Sequence, residues 1–107
     1  MTTDTVFVRA AGVQEIEPGQ GLRCVVRDRT IALFNVDGSI HAIDDLCTHA
    51  TASLAEGWLE GCEIECPLHQ GRFDVTTGKA TAAPCVVDVA SYPVRIEDGQ
   101  VLVGIPD

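Results

Sequence analysis

Basic charge is scarce in this sequence. Seven Lys+Arg stand against sixteen Asp+Glu, giving a formal net charge of −9. A phosphate backbone or an anionic membrane surface needs the opposite sign, so nucleic-acid and peripheral-membrane binding are excluded. Aromatic residues are few as well, at 5%, too sparse for the stacking platforms that hold single strands. No apolar run approaches the roughly 18 residues that a membrane-crossing helix needs. The opening residues, Met1-Thr2-Thr3-Asp4, offer neither the basic nor the apolar stretch of an export signal. No Gly-x-Gly-x-x-Gly or Walker-type loop is present to cradle a nucleotide. The expected compartment is the cytoplasm. There, five cysteines (Cys24, Cys47, Cys62, Cys66, Cys85) read as metal ligands or free thiols rather than disulfides, and the odd number agrees.

What is present is a globular composition, 46% hydrophobic over 107 residues. Folding removes roughly 65% of the surface of such a chain, enough for one core, so residues 1–107 are expected to form one domain. Short β-prone runs recur at even spacing: Val6 to Arg9, Leu22 to Val26, Thr30 to Val36, Ser39 to Ile43, Glu63 to Glu65, Arg72 to Val75, Tyr92 to Ile96 and Val101 to Ile105. Asp37-Gly38 and Asp98-Gly99 sit between paired runs and predict two-residue hairpin turns. No window of helical period is long enough to predict a helix. The pattern predicts an all-β antiparallel sandwich or small barrel. Residues 45 to 85 read as a loop-rich insertion carried by that scaffold.

The chemistry is concentrated in that insertion. Cys47-Thr48-His49 is followed, sixteen residues later, by Cys66-Pro67-Leu68-His69. Two soft thiolates and two imidazoles on two short loops make four ligands for one metal centre. A Cys and a His one residue apart are crowded for a structural zinc knuckle, whose pairs stand two to four residues apart. Giving the thiolates to one iron and the imidazoles to a second removes the crowding.

This C-x-H-x16-C-x2-H arrangement resembles the Rieske [2Fe–2S] family. The likeness extends to Asp45-Leu46, Leu59-Glu60-Gly61, Gln70-Gly71-Arg72-Phe73-Asp74, Thr77-Gly78-Lys79 and Pro84, and so covers essentially the whole chain. It is nearest to the small ferredoxins of bacterial aromatic-ring-hydroxylating dioxygenase systems. The resemblance implies one [2Fe–2S] cluster, with Cys47 and Cys66 on the inner iron and His49 and His69 on the outer iron. Residues 45–85 become the cluster-binding subdomain of one Rieske domain, with Pro84 in a third, shielding loop. The departures are informative. Respiratory and photosynthetic members carry an extra cysteine in each loop, joined as a disulfide, where this chain has Ala52 and Leu68. They also carry a serine and a tyrosine hydroxyl where Gly71 and Phe73 stand here. Fewer donors toward sulfur imply a potential at the low end, and Gly71→Ser with Phe73→Tyr is expected to raise it.

The function so implied is one-electron transfer rather than catalysis. Electrons would come from an NAD(P)H-dependent flavin reductase, the ferredoxin reductase. They would go to a terminal Rieske non-haem iron oxygenase acting in aromatic hydrocarbon catabolism. The protein would be a monomer that docks transiently over its His49/His69 end, with Leu46, Pro67 and Leu68 as an apolar collar. With two histidines in the cluster, the remaining His41 cannot build a mononuclear iron site and reads as a strand residue. Cys24, Cys62 and Cys85 read as small hydrophobes or idle thiols, and Trp58 as packing for the cluster subdomain. Two alternatives stay open: a permanently bound small subunit of a larger redox enzyme such as a nitrite reductase, and a zinc-stabilised interaction module.

Overall fold

The structure is a computed structural model that describes residues 5–48, 51–68, 70–83, 85 and 87–106. It is almost entirely β, and every strand pairing is antiparallel, as the sequence pattern predicts. Among the described residues the only helical pieces are two 3-10 turns of three residues, Val13–Glu15 and Leu54–Glu56. No helix there is long and apolar enough to cross a membrane.

Two sheets form the scaffold. One has the order β1 (Thr5–Gly12), β11 (Gln100–Pro106), β10 (Val94–Glu97). The other has the order β2 (Gly21–Val26), β3 (Arg29–Val36), β4 (Ser39–Asp44), β9 (Ser91–Tyr92). Ala11, Ile31, Leu33, Ala42, Tyr92, Val101, Val103 and Ile105 fill the core between them. Asp37-Gly38 and Asp98-Gly99 turn two hairpins with φ of 50° and 93°, and of 51° and 74°. Those paired left-handed values match the right-handed twist of the flanking strands. The single run expected over Tyr92 to Ile96 is two strands. Pro93 lacks an amide donor and sits where the chain leaves β4 for β11, while its carbonyl accepts from Gly104 N at 2.9 Å.

Residues 45–85 are more regular than a loop-rich insertion. They hold a third sheet, in the order β5 (Trp58–Glu60), β6 (Glu63–Glu65), β7 (Arg72–Asp74), β8 (Ala80–Ala82). Each strand has three residues, too few for a period-2 signal to register. Leu59, Ile64 and Phe73 turn inward from it. Trp58 is 63% exposed on β5 and is not the packing residue expected of it.

β3 joins the two halves. Ile31 and Leu33 enter the sandwich core, whereas Ala32 and Phe34 enter a second core with Ile43, Leu54, Ile64, Phe73, Val75, Cys47, Cys66 and Cys85. A strand buried on both faces must be apolar at consecutive positions, which explains the unbroken run from Ile31 to Phe34.

Candidate metal centre

Three loops of the second half meet at one end of this core. The first follows β4. Its base is closed by the Leu46–Ser53 bridge, by Cys47 N donating to Ala52 O (3.0 Å) and by Leu54 N donating to Asp45 O (2.7 Å). Asp45 is only 4% exposed, and its carboxylate accepts from Ser53 Oγ (2.8 Å) and Ala55 N (3.0 Å). Arg23 Nε lies 3.6 Å from its other oxygen. A buried carboxylate so partnered is a staple across the loop. The second loop joins β6 to β7, with Cys66 N donating to Gly71 O at 2.7 Å. On its flank Arg72 binds Glu60 (2.9 Å), Glu65 (3.1 Å) and Glu63 (3.4 Å), which ties β5, β6 and β7 on their outer face. The third loop follows β8 and carries Cys85, whose N donates to Ala82 O (3.1 Å). Thr48 Oγ1 donates to Val87 O (2.6 Å) and links the first loop to the third.

The structure brings Cys47 and Cys66 together in one buried core, at 3% and 0% exposure. His49, His69 and Pro84 lie outside the described residues. Cys85 joins the two expected thiols, with its Sγ 3.8 Å from Cys47 Sγ. None of the five cysteines forms a disulfide; Cys62 is exposed and Cys24 is half-buried on β2. His41 lies on β4, as expected of a strand residue.

Burial pushes the Cys66 thiol up to about 11; a backbone hydrogen bond at Leu68 opposes the rise and the neighbouring Cys47 thiol adds to it. Burial first, then Cys47, pushes Cys85 up to about 12. Buried thiols held this far from ionisation need a cation beside them to become thiolates. Cys47 and Cys66, both buried on separate stapled loops, are soft donors that suit a cluster iron, so this half of the donor set fits a [2Fe–2S] group.

Gly71 alters one expectation. An ideal Cβ there would lie 2.1 Å from Cys85 Sγ and 3.0 Å from Cys85 Cβ. The serine expected to raise the potential has no room unless Cys85 moves. Of the residues expected in the apolar collar, Leu46 (60%) and Leu68 (46%) are at the surface, with Pro67 half-buried beside Leu68, and Val87 (60%) on the third loop is exposed as well. Val87, Cys85 and the Asp45 staple were not singled out from the sequence for these roles. Their only signal was nearness to Pro84 or to the first motif.

An antiparallel β-sandwich with a small third sheet, holding two buried thiols on stapled loops, defines a compact metal-binding domain. The Rieske [2Fe-2S] domain family matches residues 6–93. The ferredoxin component of the naphthalene 1,2-dioxygenase system of Pseudomonas putida is 46% identical over 99 residues, spanning 92% of this chain and 95% of its own. Among solved structures, the ferredoxin of carbazole 1,9a-dioxygenase from Nocardioides aromaticivorans IC177 superposes with a TM-score of 0.89. It is 39% identical and covers 95% of this chain and 99% of that one. A complex of reduced oxygenase and oxidized ferredoxin in carbazole 1,9a-dioxygenase contains a chain similar at TM-score 0.85 and 35% identity, covering 94% of each. This chain belongs to the Rieske [2Fe–2S] domain family, and its cofactor is one [2Fe–2S] cluster.

Proposed function

We propose that the chain is a one-electron carrier passing electrons from an NAD(P)H-dependent flavin reductase to a terminal Rieske oxygenase that hydroxylates aromatic rings. Cys47 and Cys66 would hold one iron of the cluster, and His49 and His69 would hold the other. The bound cluster supplies a site that takes up and gives back one electron. The remaining work belongs to the chain. Asp45 and the Cys66–Gly71 hydrogen bond fix the ligand loops, and the Phe34, Ile64 and Phe73 side chains exclude water from the thiolate side.

The observation that carries this reading is the buried Cys47 and Cys66 pair on loops that also present the exposed Leu46 and Leu68, with Val87 exposed on the third loop. An apolar rim at the cluster end, on a molecule of net charge −9, suits a brief encounter steered by basic patches on larger partners. The relatives' role as ferredoxin components of dioxygenase systems supports it, as does the ferredoxin that forms a complex with oxygenase. The chain works as a single Rieske domain over residues 1–107, a cytoplasmic monomer without a reaction of its own.

Stopped-flow mixing with a flavin reductase and NADH tests the reading. The visible spectrum of the oxidised cluster should bleach in one one-electron phase and recover on adding oxidised terminal oxygenase. A colourless zinc protein, or a reduced cluster that no oxygenase reoxidises, would overturn it.

A further inference from the structure

Cys85 sits on neither ligand loop, yet its sulfur points at a ligand. Its Sγ is 3.8 Å from Cys47 Sγ, within the range of a sulfur hydrogen bond, and both residues are 3% exposed. Little water competes for either sulfur. The contact is braced on two sides. Thr48, next to Cys47, donates to Val87 O, two residues beyond Cys85, at 2.6 Å. Gly71 opens the space on the second loop, since any Cβ there would overlap the Cys85 sulfur at 2.1 Å. Gly71 O in turn accepts from the amide of Cys66. One thiol is thus wedged between the loops that carry both cysteine ligands.

In the chain without iron, either sulfur of this pair can donate. With Cys47 bound to iron as a thiolate, Cys47 has no proton and Cys85 is left as the donor. We propose that Cys85 is a positioning residue of the cluster site whose Sγ–H donates to the iron-bound Cys47 sulfur and raises the reduction potential. The reason is electrostatic. Reduction adds negative charge that spreads onto the sulfur ligands, so a donor aimed at one of them stabilises the reduced state more than the oxidised one. The S–H group is a weak donor, so the effect is modest.

The inference rests on Cys47 being a ligand, and its failure is separable from failure of that reading. A Cys47→Ser protein that kept its full visible spectrum would remove the ligand assignment. The inference itself is tested by voltammetry of the cluster-loaded wild type, Cys85→Ala and Cys85→Ser. Loss of the donor in Cys85→Ala should lower the equilibrium constant for one-electron reduction by about threefold to tenfold, up to about 59 mV in potential. Cys85→Ser keeps a hydroxyl donor and should stay at or above the wild-type value. An unchanged potential in the alanine variant, or a serine variant that falls with it, overturns the proposal. Infrared spectroscopy gives a second readout that survives poor loading of the alanine protein. In a Cys24→Ser/Cys62→Ser background with the cluster bound, Cys85 holds the remaining thiol proton. Its S–H stretch should be broadened and lowered relative to a free thiol; a free-thiol band overturns the assignment.

Discussion

Five thiols with one chemistry divide by where the fold places them. Cys47 and Cys66 are buried on stapled loops, Cys85 is wedged between those loops, Cys24 is half-buried on a scaffold strand and Cys62 is exposed. Serine in place of Cys47 or Cys66 takes away a proposed soft ligand, so visible absorption should vanish and iron content fall to background. The second core should loosen as well, because cluster binding adds to folding free energy. Serine in place of Cys24 or Cys62 should leave spectrum and iron content unchanged. Gly71 gives a residue-scale prediction of opposite character. Gly71→Ala drives a methyl into Cys85 Sγ, an overpacking cost of about 1–3 kcal/mol in chemical denaturation. Gly71→Ala with Cys85→Gly clears the overlap and should recover part of that loss. Full additivity of the two changes would contradict the contact.

Among the elements, β3 matters most because each face serves a different half. Phe34 and Leu33 are both fully buried. Truncation to Ala should cost about 3–5 kcal/mol for Phe34 and about 2–5 kcal/mol for Leu33. Only Phe34 shares its core with Cys47 and Cys66. At matched denaturant distance from the midpoint, Phe34→Ala should therefore lose its colour to a chelator faster than Leu33→Ala. Equal bleaching rates would mean the two cores are one cooperative body. The β4–β9 pairing carries its own pH signature. Burial and a hydrogen bond donated to Asp44 Oδ1 raise the Tyr92 hydroxyl above its ordinary value, against the opposing pull of Arg29 at 3.1 Å. A folded value above the unfolded one means stability is intact below about pH 10 and is lost as pH rises through the window above it. The slope there is at most about 1.4 kcal/mol per pH unit for one such group. Tyr92 is the chain's one tyrosine. Ultraviolet titration therefore reads it directly, and Tyr92→Phe should remove that slope from the alkaline unfolding profile.

For the molecule as a whole, the sixteen acidic side chains and the apolar rim have separate tasks. Charge governs how often partners meet, and the rim governs what happens on contact. A carrier that must let go quickly is expected to bury little surface, at the low side of roughly 1,200 Å² in total. Leu68→Asp puts a charge into the centre of that contact, where it loses water without gaining a partner. The variant should remain folded and coloured, while reduction by the reductase and oxidation by the oxygenase both slow by about tenfold or more. Raising salt should slow the wild type too, since steering is screened over about 8 to 10 Å at ordinary ionic strength. An unchanged rate in intact Leu68→Asp would place the electron's exit on another face.

The features legible in the sequence are those written in neighbouring residues. Asp37-Gly38 and Asp98-Gly99 fix two hairpins because they tolerate the left-handed backbone there. The spacing of Cys47, His49, Cys66 and His69 reads as a mixed thiolate–imidazole centre because residue type and loop length are local. The strands β5 to β8 left no such mark. Three residues carry no periodicity, and these strands exist because they pair with one another and seal a shared core. Pro93 lies inside what reads as one run, and only the pairing of β9 with β4 and of β10 with β11 makes it a crossing between sheets. The Cys47–Cys85 contact spans 38 residues, and Gly71 and Val87 gain their roles from the meeting of the same three loops. Local sequence thus determined the kind of centre and the class of fold. Tertiary packing alone decided which third thiol reaches Cys47, why position 71 must lack a side chain and which apolar residues the three loops leave exposed, because those properties belong to loops distant in sequence.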